Sequence, residues 1–431
     1  MADLDLERKM VSPDKKLHVT IPEPFDLSVS SPISSLSSSA AAAYELYLRL
    51  PELKNLWSSL DFPKWAAEPV LKPALQATEI TFRLISTVAS DTRPYINRRE
   101  WTRRLDSLVT SQIKIVASLC EDDENDDEHV PVGNGWSSTS LLSEIATCRI
   151  TESIGQKILC TVENEMRWCK YTLGLGEPNL AGKPYLQYDA VCRPEELHSL
   201  KNNPYADHIE NQENQTLYTI HQILESWIHV SIKLLNRIES RIDEGEFERA
   251  SSDVYLLETI WNLLSEVEDL HILMDPEDFL KVKKQLKIKS TSQNDAFCFR
   301  SKGLLEMAKM SKELRQKVPA VLEVEVDPTG GPRLQEAAMK LYSSKTEYEK
   351  IHLLQGMQAV ESAAKRFFFG YQKLAAAMMG SAEANANRTA ASHHESCDSL
   401  TQVFMEPTYY PSLDAAKTFL GEFWSNLVSR Q

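Results

Sequence analysis

Three patterns in the chain place acid, base or metal-binding side chains at spacings that chemistry can use. His221, Glu225 and His229 recur four residues apart, a spacing at which imidazole and carboxylate groups share one face of a helix. Each step of four drifts about 40° around the axis, so two of the three converge easily and the third swings away. A second pattern runs Glu225, then Glu268 with His271, then Glu306, then Glu349 with His352, the ligand order of a di-iron four-helix bundle. Geometry argues against it. His271 falls at the end of its helix and His352 near the start of its own, which in an up-down-up-down bundle leaves the motifs on the order of 20 Å apart. The third pattern is His221 with Leu217 one turn before it, an imidazole on or beside an apolar face. Such a histidine is either a pocket residue or a core side chain satisfied by a neighbouring carbonyl or carboxylate. HExxH, GxSxG, Walker and dinucleotide-fingerprint sequences are absent, and no metal or cofactor is expected.

The element that must position these groups is the segment from Asn211 to Ile242. Leu217, Ile220, Leu224, Trp227, Ile228, Leu234, Leu235 and Ile238 recur there three or four residues apart, the signature of a long helix with one wide apolar face. Gly245 ends it, and Ser251, Ser252 or Asp253 is positioned to cap the next helix. Asp275 followed by Pro276 starts another. A helix is expected through FCFRSKGLLEMAKMSKELRQ, a short strand at VLEVEV, a turn at DPTGGP, then a long helix over 345–379 and two shorter ones over 398–428. Upstream, helices are expected over AAAAYELYLRLPELKNLW with a cut at Pro51, from Pro73 with Leu75, Ile80, Leu84 and Val88 on one side, from Asn97, from Ser140, and from Thr151 to Leu173. The tract GLGEPNLAGKP from Gly174 to Pro184 looks like a phosphate loop but lacks its GK[ST] ending and follows a helix, which makes it a turn. The fold class is all-α, a large multi-helix bundle.

Three regions divide the chain. Residues 1–40 are Ser- and Pro-rich and read as a mobile tail, 41–190 as an N-terminal helical domain, and 191–431 as a C-terminal helical domain. Within the first domain, 121–138 opens with seven acidic groups in eight residues and reads as a solvated loop. The balance of 47 basic to 62 acidic side chains gives a formal charge of -15, which repels nucleic acid and anionic membranes. No apolar run reaches the roughly 20 residues of a membrane span, and MADLDLERKM carries no signal-peptide core. A cytoplasmic location is expected, with the nucleus as a second compartment. The seven cysteines show no CxxC pair and are expected to be reduced, small buried hydrophobes.

HQILESW at His221 to Trp227, preceded by LYTI, resembles the HQxxExW helix of the tryptophan and indoleamine dioxygenases, which are helical haem enzymes. MDPEDF and AFCFRSKGLLE resemble later segments of that family. The resemblance implies a C-terminal half with the dioxygenase-like fold, His221 as a distal histidine, Arg300 as a carboxylate-binding group, and Leu217 and Phe299 as further ligand contacts. The sequence departs from the family where the proximal haem histidine should stand, because LAAAMMG puts Ala376 or its neighbour there and leaves His393 and His394 as nearby substitutes. A haem-free small-molecule sensor or divergent enzyme is the function this resemblance implies.

Over nearly the whole length, KLHVTIPEPF, AYELYLRLPELKNLW, DTRPYINRREW, CKYTLGLGEPNLAGKP, NPYADHIENQENQTLY, VPAVLEVEVDPTGGPRLQEAAMKLY and FMEPTYYPSLDAAKTFLGEFW resemble the plant HSPRO family of nematode-resistance-like proteins. That resemblance implies a non-enzymatic positive regulator of basal defence that associates with the regulatory βγ subunit of the plant SNF-related kinase.

Overall fold

The computed structural model describes residues 38–58, 62, 65–121, 130–204, 211–285, 301–325, 333–379 and 405–428. Their elements are α1 Ser38–Tyr47, α2 Leu50–Ser58, α3 Glu68–Ala89, α4 Arg98–Glu121, α5 Leu141–Thr147, α6 Glu152–Glu165, α7 Tyr188–Cys192, α8 Pro194–Ser199, α9 Gln212–Glu244 and α10 Phe247–Glu268. There follow α11 Pro276–Gln285, α12 Lys302–Glu313, α13 Val318–Val321, α14 Arg333–Ser344, α15 Tyr348–Met379 and α16 Pro411–Val428. Strands β1 Val132–Gly133 and β2 Tyr185–Leu186 pair antiparallel as a two-residue ribbon. The all-α expectation holds. Among the described residues no helix is long and apolar enough to cross a membrane.

The long central helix forms as its spacing requires. Asn211 caps α9 by accepting from the Glu213 amide at 2.8 Å, and Gly245 closes it with φ of +79°, a left-handed conformation that costs other residues about 1 kcal/mol or more. On one side α9 packs along α3, and on the other along α10 and α12; α10 in turn packs along α15. Trp227 and Trp261 are fully enclosed, the latter against Phe367 at 5.4 Å between ring centroids. Residues 36–431 form one compact unit, so the two anticipated halves meet along α3 and α9.

Helix α3 is more deeply set than its periodicity implies. Eighteen of its 22 residues are buried, because α2, α4, α5, α7, α8 and α9 surround it. Its polar side chains therefore need internal partners. Gln76 donates to the Cys192 carbonyl at 3.0 Å, Arg83 to the Leu197 carbonyl at 3.3 Å and to Gln222, and Thr81 exchanges hydrogen bonds with Gln112. Burial pulls the Arg83 pKa down to about 10, against the opposing influence of Tyr218 and Glu79.

Several expectations are corrected. Ser251 to Asp253 do not cap α10, which starts at Phe247; Asp253 instead accepts from Arg237 at 2.9 Å and Arg241 at 2.6 Å across from α9. VLEVEV is not a strand over its described part, since α13 runs to Val321 and Glu323 turns the chain at φ of +55°. Helix α14 covers Arg333–Ser344, where none was read, and the DPTGGP stretch expected to turn lies outside the described residues. The helix expected through Leu173 stops at Glu165 and passes through a 3-10 turn, Met166–Trp168. The first helix breaks at Leu48 and Arg49, the latter at φ of +55°, and Pro51 sits in the first turn of α2. Of the cysteines, Cys120, Cys169 and Cys192 are buried but Cys148 and Cys160 are exposed. Residues 130–138 are held in place rather than loose: Ser137, Ser138 and Thr139 all donate to Asp189. Residues 1–37 of the expected tail, 122–129 and the span 398–404, where the first of the two short C-terminal helices was expected to begin, lie outside the described residues, while 38–40 already belong to α1.

Candidate functional site

On α9, His221 and Glu225 stand one turn apart and face α1, where Tyr44 meets both. The Tyr44 hydroxyl lies 3.0 Å from His221 Nδ1 and donates to Glu225 Oε1 at 3.0 Å. A hydroxyl has one proton; with that proton directed to Glu225, the imidazole nitrogen facing it must be the donor, which places the His221 proton on Nδ1. The Tyr44 and His221 rings meet edge to face at 5.7 Å. Burial raises the Glu225 pKa to about 6, although Ser301, Tyr44 and Lys54 pull it the other way.

Past His221 lies a second buried histidine. His271, in the 3-10 turn Asp269–Leu273 that ends α10, stands 5.3 Å from His221 with the rings at 78°. Its Nδ1 donates to the Glu268 carbonyl at 2.7 Å and lies 3.1 Å from the Glu268 carboxylate. Burial opposes the charged imidazole, but the Glu268 carboxylate and its hydrogen bonds outweigh it and the His271 pKa rises. Thus Tyr44, His221, Glu225, Glu268 and His271 form one buried polar cluster, drawn from α1, α9 and the end of α10.

Among the described residues, two cavities border this cluster and share Glu268. One, of about 20 Å³, is lined by Glu268, His271, Phe279, Tyr371 and Met378; the other, of about 10 Å³, by Tyr44, Glu225, Glu268, Ser301 and Phe367. A cavity of this size holds about one water, and an indole needs many times more. In the larger one, His271 Nε2 and Glu268 Oε1 have no hydrogen-bond partner among the described residues, two buried polar atoms that one water can bridge. Among the described residues no group of three or more His, Cys, Asp or Glu side chains could hold a metal ion.

The structure brings some of the sequence-derived candidates together and separates others. His221 and Leu217 are both buried in the core, and neither lines either cavity. Glu225 and Glu268 with His271 do meet, as half of the di-iron order. His229 turns away and stacks on Trp57 at 4.6 Å, and burial, helped by Lys233 and Lys54, lowers its pKa to about 4. Ala376, the position matched to the proximal haem ligand, lies exposed on α15. Phe299, Arg300, His393 and His394 lie outside the described residues.

Two further anchoring sites escaped the sequence reading. Glu79 of α3 is fully enclosed and accepts from Ser140 Oγ at 2.8 Å, the Leu141 amide at 2.8 Å, Tyr188 at 2.9 Å and His198 Nε2 at 2.9 Å, which ties α3 to α5, α7 and α8. Its partners are 61 or more residues away in sequence, so spacing carries no trace of them. In the loop after the 3-10 turn, the Glu177 carboxylate accepts from Thr172 at 2.6 Å, the Gly174 amide at 2.8 Å and the Leu175 amide at 2.6 Å. The phosphate-loop lookalike is therefore filled by its own carboxylate.

Comparison with known proteins covers nearly the whole chain. Residues 1–163 match the family model described as Hs1pro-1 N-terminus, and residues 166–426 the model described as Hs1pro-1 protein C-terminus. Nematode resistance protein-like HSPRO1 of Arabidopsis thaliana is 85% identical over 431 residues, covering 99% of this chain and 100% of the relative. Nematode resistance protein-like HSPRO2 of the same plant is 69% identical over 438 residues, with 99% and 100% covered. No solved structure matches the chain.

Proposed function

The chain belongs to the Hs1pro-1 family, and from that premise we propose that it is a non-enzymatic positive regulator of plant basal defence against nematodes and other pathogens, working through protein contacts in the cytoplasm and nucleus. The observation that carries the reading is the 85% identity over 431 residues to a relative whose name is nematode resistance protein-like. At that identity two chains share fold and most of their surface, and a role exercised through surface contacts is shared with them. The partner we assign is the regulatory βγ subunit of the SNF-related kinase.

The competing reading is a haem-free sensor of indole-like or amino-acid ligands, centred on His221 and Arg300. What favours protein binding over it is the state of the histidine: His221 Nδ1 is engaged by Tyr44, and the two cavities that border its cluster among the described residues are of single-water size. Titration calorimetry of the full chain with the recombinant βγ subunit tests the reading, with tryptophan and indole as small-molecule arms. A saturable complex with the subunit and no heat or melting shift with the small molecules is expected. A Soret band in the purified protein, or a melting shift with indole and no complex, would return the chain to the enzyme or sensor class.

A further inference from the structure

Two thiols meet where the end of α4 touches the turn after α6. Cys120 stands in the last turn of α4, and Cys169 directly follows the 3-10 turn Met166–Trp168; both are buried. Cys169 Sγ donates to the Ala117 carbonyl, one turn back from Cys120, at 3.5 Å, and the Cys120 thiol hydrogen-bonds to the Cys169 sulfur. The backbone on each side is held. Cys120 is fixed by its helix. On the other side the Cys169 amide donates to the Met166 carbonyl at 3.1 Å, Lys183 Nζ donates to the carbonyls of Met166 and Cys169 at 2.7 Å and to that of Arg167, and the Thr172 amide donates to the Pro184 carbonyl at 3.0 Å. Two sulfurs kept in contact by braced backbone need only a short approach to share a bond. Solvent is close to them, because Cys169 lies between two exposed residues, Trp168 and Lys170.

The hydrogen bond from Cys120 lowers the Cys169 pKa, and the Lys183 ammonium pulls the same way, against burial and the Glu121 carboxylate. Cys192, by contrast, is fully enclosed, and burial pushes its thiol up. We propose that Cys120 and Cys169 form a reversible disulfide, a modification site closed by a hydroperoxide and reopened by a dithiol reductant. Cys169 gives its proton to solvent, and its sulfur electron pair bonds to the near oxygen of hydrogen peroxide. The O–O bond breaks, and the departing hydroxide takes a proton from solvent to become water. Cys169 is then a sulfenic acid. The Cys120 sulfur bonds to the Cys169 sulfur, the S–O bond breaks, and hydroxide leaves as water with the Cys120 proton. The two thiols together lose two electrons, and the peroxide that accepts them becomes two waters. The new bond staples α4 to the loop that carries Glu177, closing a ring of about 50 residues. It is independent of any partner.

The test uses the full chain carrying Cys148→Ser and Cys160→Ser, which removes two exposed thiols, and the same chain with Cys120→Ser or Cys169→Ser added. After mild treatment with hydrogen peroxide, unfolding and alkylation of the remaining thiols, peptide mass spectrometry is expected to find the Cys120 and Cys169 peptides joined, with two hydrogens lost and both thiols recovered by dithiothreitol. That mapping is made in the chain that keeps both cysteines, so it does not depend on how either pair variant folds. In the Cys120→Ser chain, dimedone is expected to capture a sulfenic acid at Cys169, at least about tenfold more than at Cys120 in the Cys169→Ser chain. The oxidised chain should melt roughly 5 °C above the reduced one. If both thiols stay open to alkylation, or either is joined to Cys192, Cys298 or Cys397, the pair is overturned. Capture at Cys120 equal to or above that at Cys169 overturns the order of attack, and an unchanged or lowered melting temperature overturns the staple.

Discussion

Glu225 and His229 stand one turn apart on α9, and burial drives them to opposite responses to pH. The folded pKa of Glu225, about 6, lies above its ordinary 4.5, so the folded chain holds that proton more tightly. Its contribution to stability is therefore complete below pH 4.5 and lost as pH rises through about 6, about 2 kcal/mol in all. Glu225→Gln should raise the urea midpoint at neutral pH and leave it unchanged in acid; parallel curves for the two chains across that range would refute the assignment. His229 has the reverse sign. Its folded pKa of about 4 lies below 6.5, so its contribution is present above pH 6.5 and lost as pH falls toward 4, at most about 3 kcal/mol. His229→Phe keeps the stack on Trp57 and should make the protein more acid-resistant, seen as a higher midpoint near pH 4.5 relative to the parent. How far this site could be read from sequence follows from distance along the chain. The placement of His221 on a packed face was legible in the spacing of Leu217, Leu224 and Ile228. Tyr44, which supplies its hydrogen bond from 177 residues away, was not, because no local pattern encodes a partner on another helix.

At the scale of helices, close approach depends on single glycines. A Cβ built on Gly155 of α6 would lie 2.5 Å from the Ala146 Cα and 2.7 Å from its amide nitrogen in α5, backbone that cannot turn aside. Gly155→Ala should cost about 2 kcal/mol or more, whereas Gly135→Ala, which meets open space, should cost less than about 0.5 kcal/mol. Urea unfolding of the two variants makes the comparison, and similar losses would show that the α5 and α6 contact gives way. Helix ends were legible wherever the capping chemistry is local: Asn211 and Gly245 bound α9, and Asp275 caps α11 by accepting from the Asp278 amide at 2.9 Å. They were misread where a tertiary partner claims the capping residue, as Arg237 and Arg241 claim Asp253. The depth of α3 was hidden for the same reason, since Gln76, Glu79, Thr81 and Arg83 look solvent-facing until their partners on other helices are known.

For the whole molecule, the two halves of the sequence should unfold as one. The face that α3 buries on α9, and the Tyr44 contacts to His221 and Glu225, join residues on either side of position 190. Fragments 1–190 and 191–431, made separately, are each expected to bind a hydrophobic dye and to melt without a cooperative transition, with co-expression restoring it. Independent, sharp melting of both fragments would show two autonomous domains instead. The Glu177 loop has a consequence at this scale too. A carboxylate tethered beside its own donors has an effective concentration on the order of millimolar or more, and it never diffuses away. A free nucleotide would have to displace that built-in occupant before touching the loop amides, so any sensitivity of this protein to cellular energy charge has to reach it by a route other than this loop.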